Sequence, residues 1–488
     1  MSSDSPDVLL VVMDCVRADL FAQHVASGGM PFLASAEPEF VRFSRAVAPA
    51  SWTIPSHASL FTGRYPWDHG AHYKGGATLG PDPMTLAEAL RSKGYYTASF
   101  SANGYVQPAT GLTRGFDRAL WGGDREFFLR VLARDPSCPS LNGADAAVHA
   151  RLDAPSRASA FRVGAMRALS RFTPVCDALN RVGGKIVHAS PAYVGAWIER
   201  ELDAGVRASA DRPFFFFVNL LEAHEPYLAD AGRPIGLRDW LSYARTSQVS
   251  EKWTRGDRAP TPDDLAWARR DYLASMSVID GRIRVLAEHL KARGRWENTL
   301  LVVTSDHGQA FGEGGHMYHR LHLDEGITRI PLWVKPPQSD PSPRGAREGP
   351  WVSLVDVGAT VVAATGSGTA FGDPSSRSLL STDLPSDRTV YSLTDGVSRT
   401  EASILPAVRR EQIDRVQIAG YRGPFKTIVD QSGVEYRFRF GASGAELIGA
   451  QDREFDAAGF GEIAPKLRSV LSLPEPTSVS QRIAGWGY

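Results

Sequence analysis

DVLLVVMD, residues 7–14, is the stretch on which the fold turns. An unbroken run of β-prone apolar residues that stops at a carboxylate is the pattern of a strand buried on both faces of a parallel sheet. Two distant runs repeat it. PFFFFVNLLEAHEPY (213–227) reaches Glu222 and His224, and NTLLVVTSDHG (298–308) reaches Asp306 and His307. In open parallel sheets ligands bind beyond the carboxyl ends of the strands, so these polar residues are expected to converge.

Helical patterns fall between the runs: 83–94, 190–209 and the long segment 263–294, which stops at Gly294. Strands that alternate with helices predict an α/β fold with a mixed, mainly parallel sheet flanked by helices. Residues 335–350, KPPQSDPSPRGAREGP, read as a proline-rich surface loop, and 351–366 as a helix. From about residue 386 the character changes. FKTIVDQSGVEYRFRF (425–440) reads as a hairpin around Ser432-Gly433, and a helix follows at 462–473. The expected division is a catalytic α/β domain over 1–385 and a smaller C-terminal α+β domain over 386–488.

A chain of 488 residues with 43% hydrophobic content can bury more than one core, which suits this division. The 54 basic residues balance 54 acidic ones, so no general affinity for nucleic acid is expected. A local pocket for an anionic substrate stays compatible with that balance. The three scattered cysteines, Cys15, Cys138 and Cys176, make neither a disulfide framework nor a structural zinc site, and they suit a reducing compartment. MSSDSPDVLLVVMD has no basic n-region, and its apolar run breaks at Asp14, so no signal peptide is expected. PFFFFVNLL is far shorter than the roughly 20 residues of a membrane span. The expectation is a cytoplasmic protein that acts on a small anionic ester, with neither nucleic acid nor membrane as a partner.

Asp14, Asp306 and His307 offer two hard oxygens and an imidazole at predicted strand ends, a set suited to Zn²⁺ or Mn²⁺. A cation there would turn a nearby hydroxyl into a nucleophile at neutral pH. SWTIPSHASLFTGRYP (51–66) supplies candidates in Ser51 and Thr53. If Pro55 sits in a first helical turn, the backbone amides around it face whatever the hydroxyl attacks. Each piece alone is ordinary: a strand-terminal Asp caps turns, and a hydroxyl beside proline caps helices. The signal is their joint placement.

These residues carry a resemblance. DVLLVVMDCVRADLF, TIPSHASLFTGRYPWDHG, GYYTASF with RGFD, PFFFFVNLLEAHEPY, NTLLVVTSDHGQAFGEGG and HLDEGITRIPLWV occur in the order found in the sulfatase branch of the alkaline phosphatase superfamily. VSLVDVGATVVAATG followed by RSLL extends the match, which runs from about residue 6 to 460. The resemblance implies an alkaline-phosphatase-like fold and a divalent metal held by Asp14, Asp306 and His307.

The departures bear on the chemistry. Sulfatases carry C-x-P-S-R, or Ser for Cys, and oxidise the first residue to formylglycine. Aligned on Leu60-x-Thr62-Gly63, that position is Thr53, followed by Ile54, Pro55, Ser56 and His57. Threonine cannot become formylglycine. The family's Lys-Trp-His segment is replaced by SANGYV, with Asn103 at its centre. Thr53-Ile-Pro-Ser56-His57 is closer to the Thr-x-Pro-Asn-His of nucleotide pyrophosphatase/phosphodiesterases, and phosphoglycerol transferases also use threonine. The resemblance therefore implies Thr53 as nucleophile and fourth metal ligand, His57 and Asn103 as catalytic neighbours, and a covalent phosphothreonine. His319 and His224 would bind the leaving oxygen or, with Glu222, a second metal; one ion is the first expectation. Two other readings stay open: a sulfuric ester hydrolase without formylglycine, and an inactive anion-binding protein. Residues 118–200 and 231–264 are expected to form the substrate-selecting rim, with Trp240, Tyr243 and Trp253 as apolar walls or as locally packed side chains.

Overall fold

Val8, Leu10 and Val12 pack on one side of a central sheet while Leu9, Val11 and Met13 pack on the other. This alternation explains why the 7–14 run is apolar without interruption: both faces are covered. The computed structural model describes residues 5–121, 202–209, 212–225, 227, 253, 258–319, 322–366, 371–397, 414–441, 444–448 and 459–471.

Among the described residues the sheet has eight strands, in the order Gly345–Arg347, Val41–Phe43, Leu332–Lys335, Thr299–Thr304, Asp7–Met13, Phe214–Leu220, Tyr96–Ser101 and Arg118–Trp121. Among these eight, Leu332–Lys335 alone runs against the rest. Register levels the strand ends. Val12 lies beside Asn219 and Thr304, and Asn219 beside Ser101. Asp14, Asn103 and Asp306 follow just beyond, on one edge.

One face is covered by helices Ala18–Ala26, Pro31–Ala36 and Pro262–Ala292, the other by Thr53–Thr62, Leu86–Ser92 and Val355–Ala364. The long helix starts at a capping box in which Thr261 and Asp264 satisfy each other's backbone N–H. It buries Ala268, Tyr272, Met276, Ile279, Ile283, Leu286 and Leu290, the stripe that helical periodicity requires. Of the helix expected over 190–209, residues 202–208 are helical and the earlier ones lie outside the described residues.

Two readings change in detail. Within the proline-rich 335–350, Gly345–Arg347 pairs with Val41–Phe43 as an edge strand. The prolines at 336, 337, 341 and 343 lie outside that pairing, as residues without an N–H must. In 351–366, Val352–Ser353 forms a short strand on Ala46–Val47 before the helix begins.

A second sheet, of five antiparallel strands among the described residues, starts at Val390–Asp395 and includes the expected hairpin, Phe425–Asp430 with Glu435–Gly441. Helix Ile463–Leu471 packs Ile463, Leu467 and Val470 against it. The two sheets meet at the chain leading into helix Thr53–Thr62: Ser51 N–H donates to Leu393 O at 3.0 Å, and Leu393 N–H to Pro49 O at 2.9 Å. Among the described residues no helix is long and apolar enough to cross a membrane.

Candidate active site

Asp14 stands one residue beyond its strand, fully buried. Its Oδ2 accepts hydrogen bonds from Asn103 Nδ2 at 2.8 Å and Asn219 Nδ2 at 3.2 Å, while its Oδ1 lies 3.3 Å from the Cys15 thiol. The two oxygens therefore face different neighbourhoods. Asp306, equally buried, accepts the backbone N–H of Cys15 (3.2 Å) and of His307 (2.9 Å) on Oδ1. The turn after His307 needs glycine: a Cβ on Gly308 would come within 2.0 Å of Gly326 O. Gly308 N–H donates to Ile327 O at 2.7 Å, which locks the Asp306-His307 pair.

Charge at this centre is unbalanced. Burial opposes ionisation of Asp14, yet the imidazoles of His224, His307 and His57 and the Asn103 amide hold its carboxyl below the ordinary value. Burial, and then the Asp14 charge, push Asp306 well above the carboxylate range. His307 is pulled down to about 4, mainly by burial. It shares its Nδ1 with Gly308 O at 3.0 Å, so Nε2 carries the lone pair. Nε2 lies 3.3 Å from Asp306 Oδ2, and both atoms are buried without a hydrogen-bond partner among the described residues. With Asp306 ionised, two acceptor atoms face each other in a dry interior, which is costly and is why burial holds its proton on. A divalent cation relieves that cost, so Asp14, Asp306 and His307 fit one.

Thr53 is the first residue of helix Thr53–Thr62, and Pro55 falls in the first turn as expected. Its Oγ1 is 3.4 Å from Asn103 Nδ2, the same amide nitrogen that binds Asp14. Asn103 is held in turn by its own Oδ1, which accepts Tyr105 N–H at 2.8 Å. His57, one helical turn after Thr53, binds Thr53 O through Nδ1 at 2.9 Å and faces Asn219 Nδ2 through Nε2 at 3.4 Å. It meets Thr53 through the backbone and braces the first turn. Burial lowers the affinity of His57 for a proton.

A second group adjoins the first. The His319 ring centre is 4.5 Å from that of His307 and 5.0 Å from that of His224. Glu225 joins them: its Oε2 lies 3.6 Å from His224 Nδ1 and 3.9 Å from His319 Nδ1. Glu222, expected in this corner, lies 3.8 Å from Arg282 of the long helix instead. The turn closed by His224 N–H on Leu221 O brings Glu225, not Glu222, to His319. Of the proposed rim, Trp253 packs locally with Leu265, Met317 and Tyr318 and donates its indole N–H to Gly315 O at 3.0 Å. Trp240 and Tyr243 lie outside the described residues.

Cys15, Asn219, Glu225 and Gln309 belong to the site and were not singled out in the sequence. Asn219 had a visible signal, a lone amide in an otherwise apolar strand. Cys15 had its place after Asp14 but no spacing partner.

The Sulfatase family model matches residues 6–367. The chain is 22% identical over 353 residues to mouse iduronate 2-sulfatase, covering 69% of this chain and 60% of that protein. It is 23% identical over 370 residues to the choline-sulfatase of Rhizobium meliloti, covering 69% and 64%. Both matches span less than two thirds of the relative's own length. Among solved structures, the phosphonate monoester hydrolase of Silicibacter pomeroyi superposes with a TM-score of 0.62 at 20% identity, covering 96% of this chain and 94% of that one. That likeness bears on the fold.

Proposed function

Since the chain belongs to the sulfatase family, we propose that it is a metal-dependent hydrolase or transferase that takes the phosphoryl group of a small phosphate ester or diester onto Thr53. One observation carries the reading: a single Asn103 nitrogen spans Asp14 Oδ2 and Thr53 Oγ1, tying a threonine hydroxyl to the carboxylate of a cation-fitting centre. A divalent cation on Asp14, Asp306 and His307, Zn²⁺ or Mn²⁺ by donor type, would supply Lewis acidity and make a neighbouring hydroxyl acidic enough to react.

Thr53 Oγ1 bonds to phosphorus as the bond to the departing alcohol oxygen breaks, and the proton lost from Thr53 is balanced by one gained on that alcohol. Water, or an acceptor alcohol, then displaces Thr53 and restores its hydroxyl. Asn103 and the N–H groups of the first helical turn donate to the non-bridging oxygens as their charge grows. His57 keeps Thr53 in register, and His224 and His319 serve the leaving oxygen. A reducing compartment such as the cytoplasm suits a centre that keeps a free thiol, Cys15, beside its carboxylates.

Threonine itself supports phosphoryl over sulfuryl transfer, because the family's usual route to sulfate esters needs an aldehyde made from Cys or Ser. Sulfate-ester hydrolysis by another route is the second reading, favoured by the names of the curated relatives. Acid quenching during turnover of an aryl phosphodiester, followed by peptide mass mapping, tests the proposal. A phosphoryl-sized mass increase at Thr53 is expected. Turnover with no adduct there, and with activity retained in Thr53→Ala, would refute it.

A further inference from the structure

We propose that Gln309 positions the leaving-group side of the site, fixing through one amide both the imidazole of His319 and the carboxylate of Glu225. The proposal rests on the reading in which His319 serves the leaving oxygen, and it adds the residue that aims it. Hairpin register places the two side by side. Ala310 pairs with Tyr318 and Phe311 with Met317, so Gln309 and His319 stand at the next position outward on the two arms. Gln309 follows the Asp306-His307-Gly308 turn, and its backbone is tied on both sides: its N–H donates to Gly326 O at 2.9 Å, and its carbonyl accepts Arg17 Nη1 at 3.1 Å. On the other arm Tyr318 has a φ of +65°, in the left-handed region that residues with a Cβ avoid. Such a state persists where the surroundings over-determine it, and here it sets the direction in which the chain enters His319.

The amide admits one orientation. Gln309 is fully buried, and its Nε2 donates to Glu225 Oε2 at 2.8 Å and to Tyr227 Oη at 2.6 Å. Turned over, it would set its own oxygen against the Glu225 carboxylate, two acceptors in a dry interior. Oε1 is therefore the atom that meets His319 Nδ1 at 3.0 Å, and an amide oxygen only accepts. His319 thus keeps a hydrogen on Nδ1. Cys15 Sγ, 3.7 Å from the same nitrogen, is the longer contact, and its thiol donates to Asp14 Oδ1 at 3.3 Å. His224 repeats the arrangement by donating its Nδ1 proton to Glu225 O at 2.7 Å. The Glu225 carboxylate that Gln309 holds lies on the Nδ1 side of both rings, 3.6 and 3.9 Å away.

Exchange with the leaving oxygen therefore falls to His319 Nε2. The imidazolium passes its Nε2 proton to the departing oxygen as that oxygen takes the electron pair of the breaking P–O bond. In the second step the incoming water returns a proton to Nε2 as its oxygen bonds to phosphorus and the Thr53 oxygen departs. Gln309 touches no reacting atom. It keeps the Nδ1 hydrogen occupied and the ring still through both steps, which is the work of a residue behind a catalytic group. Without it, the ring and the carboxylate both lose the partner that fixes them.

Leaving-group dependence provides the test, because help to a departing oxygen matters most when that oxygen is basic. Full-length wild type and Gln309→Leu, both reconstituted with Zn²⁺, are compared on aryl phosphodiesters whose leaving phenols run from dinitrophenol to phenol. In the variant kcat for the phenyl ester should fall about 100-fold and that for the dinitrophenyl ester about threefold or less, with KM within about twofold. An equal fractional loss along the series, or no loss with phenol, overturns the proposal. Nitrogen-15 NMR of the Zn²⁺-loaded wild type at about pH 9, where histidine is neutral, reads the ring directly and needs no folded Gln309 variant. The His319 signal, identified by its absence from His319→Asn, should show the proton on Nδ1, and a proton on Nε2 overturns the proposal. If the wild type turns over no ester while Nδ1 carries the proton, the leaving-oxygen reading falls and the hold of Gln309 on the ring stands.

Discussion

Asp395, the last residue of its strand in the C-terminal sheet, accepts a 2.9 Å hydrogen bond from the indole N–H of Trp52, the residue immediately ahead of Thr53. Its other oxygen accepts the backbone N–H of Tyr73, whose ring stacks on Trp52 at 4.1 Å between centres. The C-terminal sheet therefore clamps the start of helix Thr53–Thr62, and it does so from a fully buried carboxyl that burial pushes up to about 6.

Removing the clamp should cost stability and rate together. Asp395→Ala leaves two buried N–H donors without an acceptor, each costing about 1–3 kcal/mol. A nucleophile shifted by even a fraction of an ångström reacts more slowly, so kcat is expected to fall about tenfold or more while KM changes little. Urea unfolding and steady-state kinetics on the same preparation check both effects.

Asn219 should matter although the sequence reading did not single it out as a site residue. Its amide fixes Asp14 Oδ2 and faces His57, so Asn219→Ala is expected to weaken metal binding or activity about 10- to 100-fold. Asn103→Ala removes a donor to the transferring group and should lower kcat about 100-fold or more. Both amides hold Asp14 Oδ2, so isothermal titration with Zn²⁺ should show weakened affinity in each variant, and kcat at saturating metal should fall further in the Asn103 variant.

His69 predicts acid lability in the metal-free protein. Its Nδ1 accepts Ala71 N–H at 3.0 Å and its Nε2 proton goes to Ser59 Oγ at 3.0 Å, which fixes the neutral form. Burial, reinforced by His72, lowers its pKa to about 3 from the ordinary 6.5. A histidine depressed in the folded state contributes fully above its unfolded pKa, and the contribution drains away as pH falls from 6.5 toward about 3. The loss from this group should be about 2 kcal/mol by about pH 5. His69→Gln, which does not titrate, should lose less stability between pH 7 and 5 by about that amount, as read from urea midpoints.

The sequence made the scaffold legible where one period ruled. The 7–14 run, buried on both faces, and the stripe of the Pro262–Ala292 helix followed directly from hydrophobic patterning. Asp14, Asp306 and His307 were readable because each interrupts or follows such a run. Glu225 and Gln309 were not, since turn geometry decides which of two nearby glutamates reaches His319, and periodicity is silent in turns. Cys15 was hidden for a different reason: its role depends on a left-handed backbone that no local residue pattern announces.

Asp306→Asn tests the first cation centre. The amide keeps the shape but presents one neutral oxygen to a cation, and metal affinity should drop at least 100-fold. Acidification should act in the same direction in the wild type. The raised pKa of Asp306 means that its proton competes with the metal well above the usual carboxylate range, so affinity should rise with pH.

The most direct test of the central claim is the turnover of matched aryl phosphodiesters, phosphomonoesters and sulfates by wild type and Thr53→Ala, each reconstituted with Zn²⁺ or Mn²⁺. Phosphoryl transfer through Thr53 predicts phosphate-ester turnover that falls about 1000-fold or more in the variant, with the fold unchanged by circular dichroism. Sulfate turnover without phosphate turnover, or equal rates in the two proteins, would contradict it.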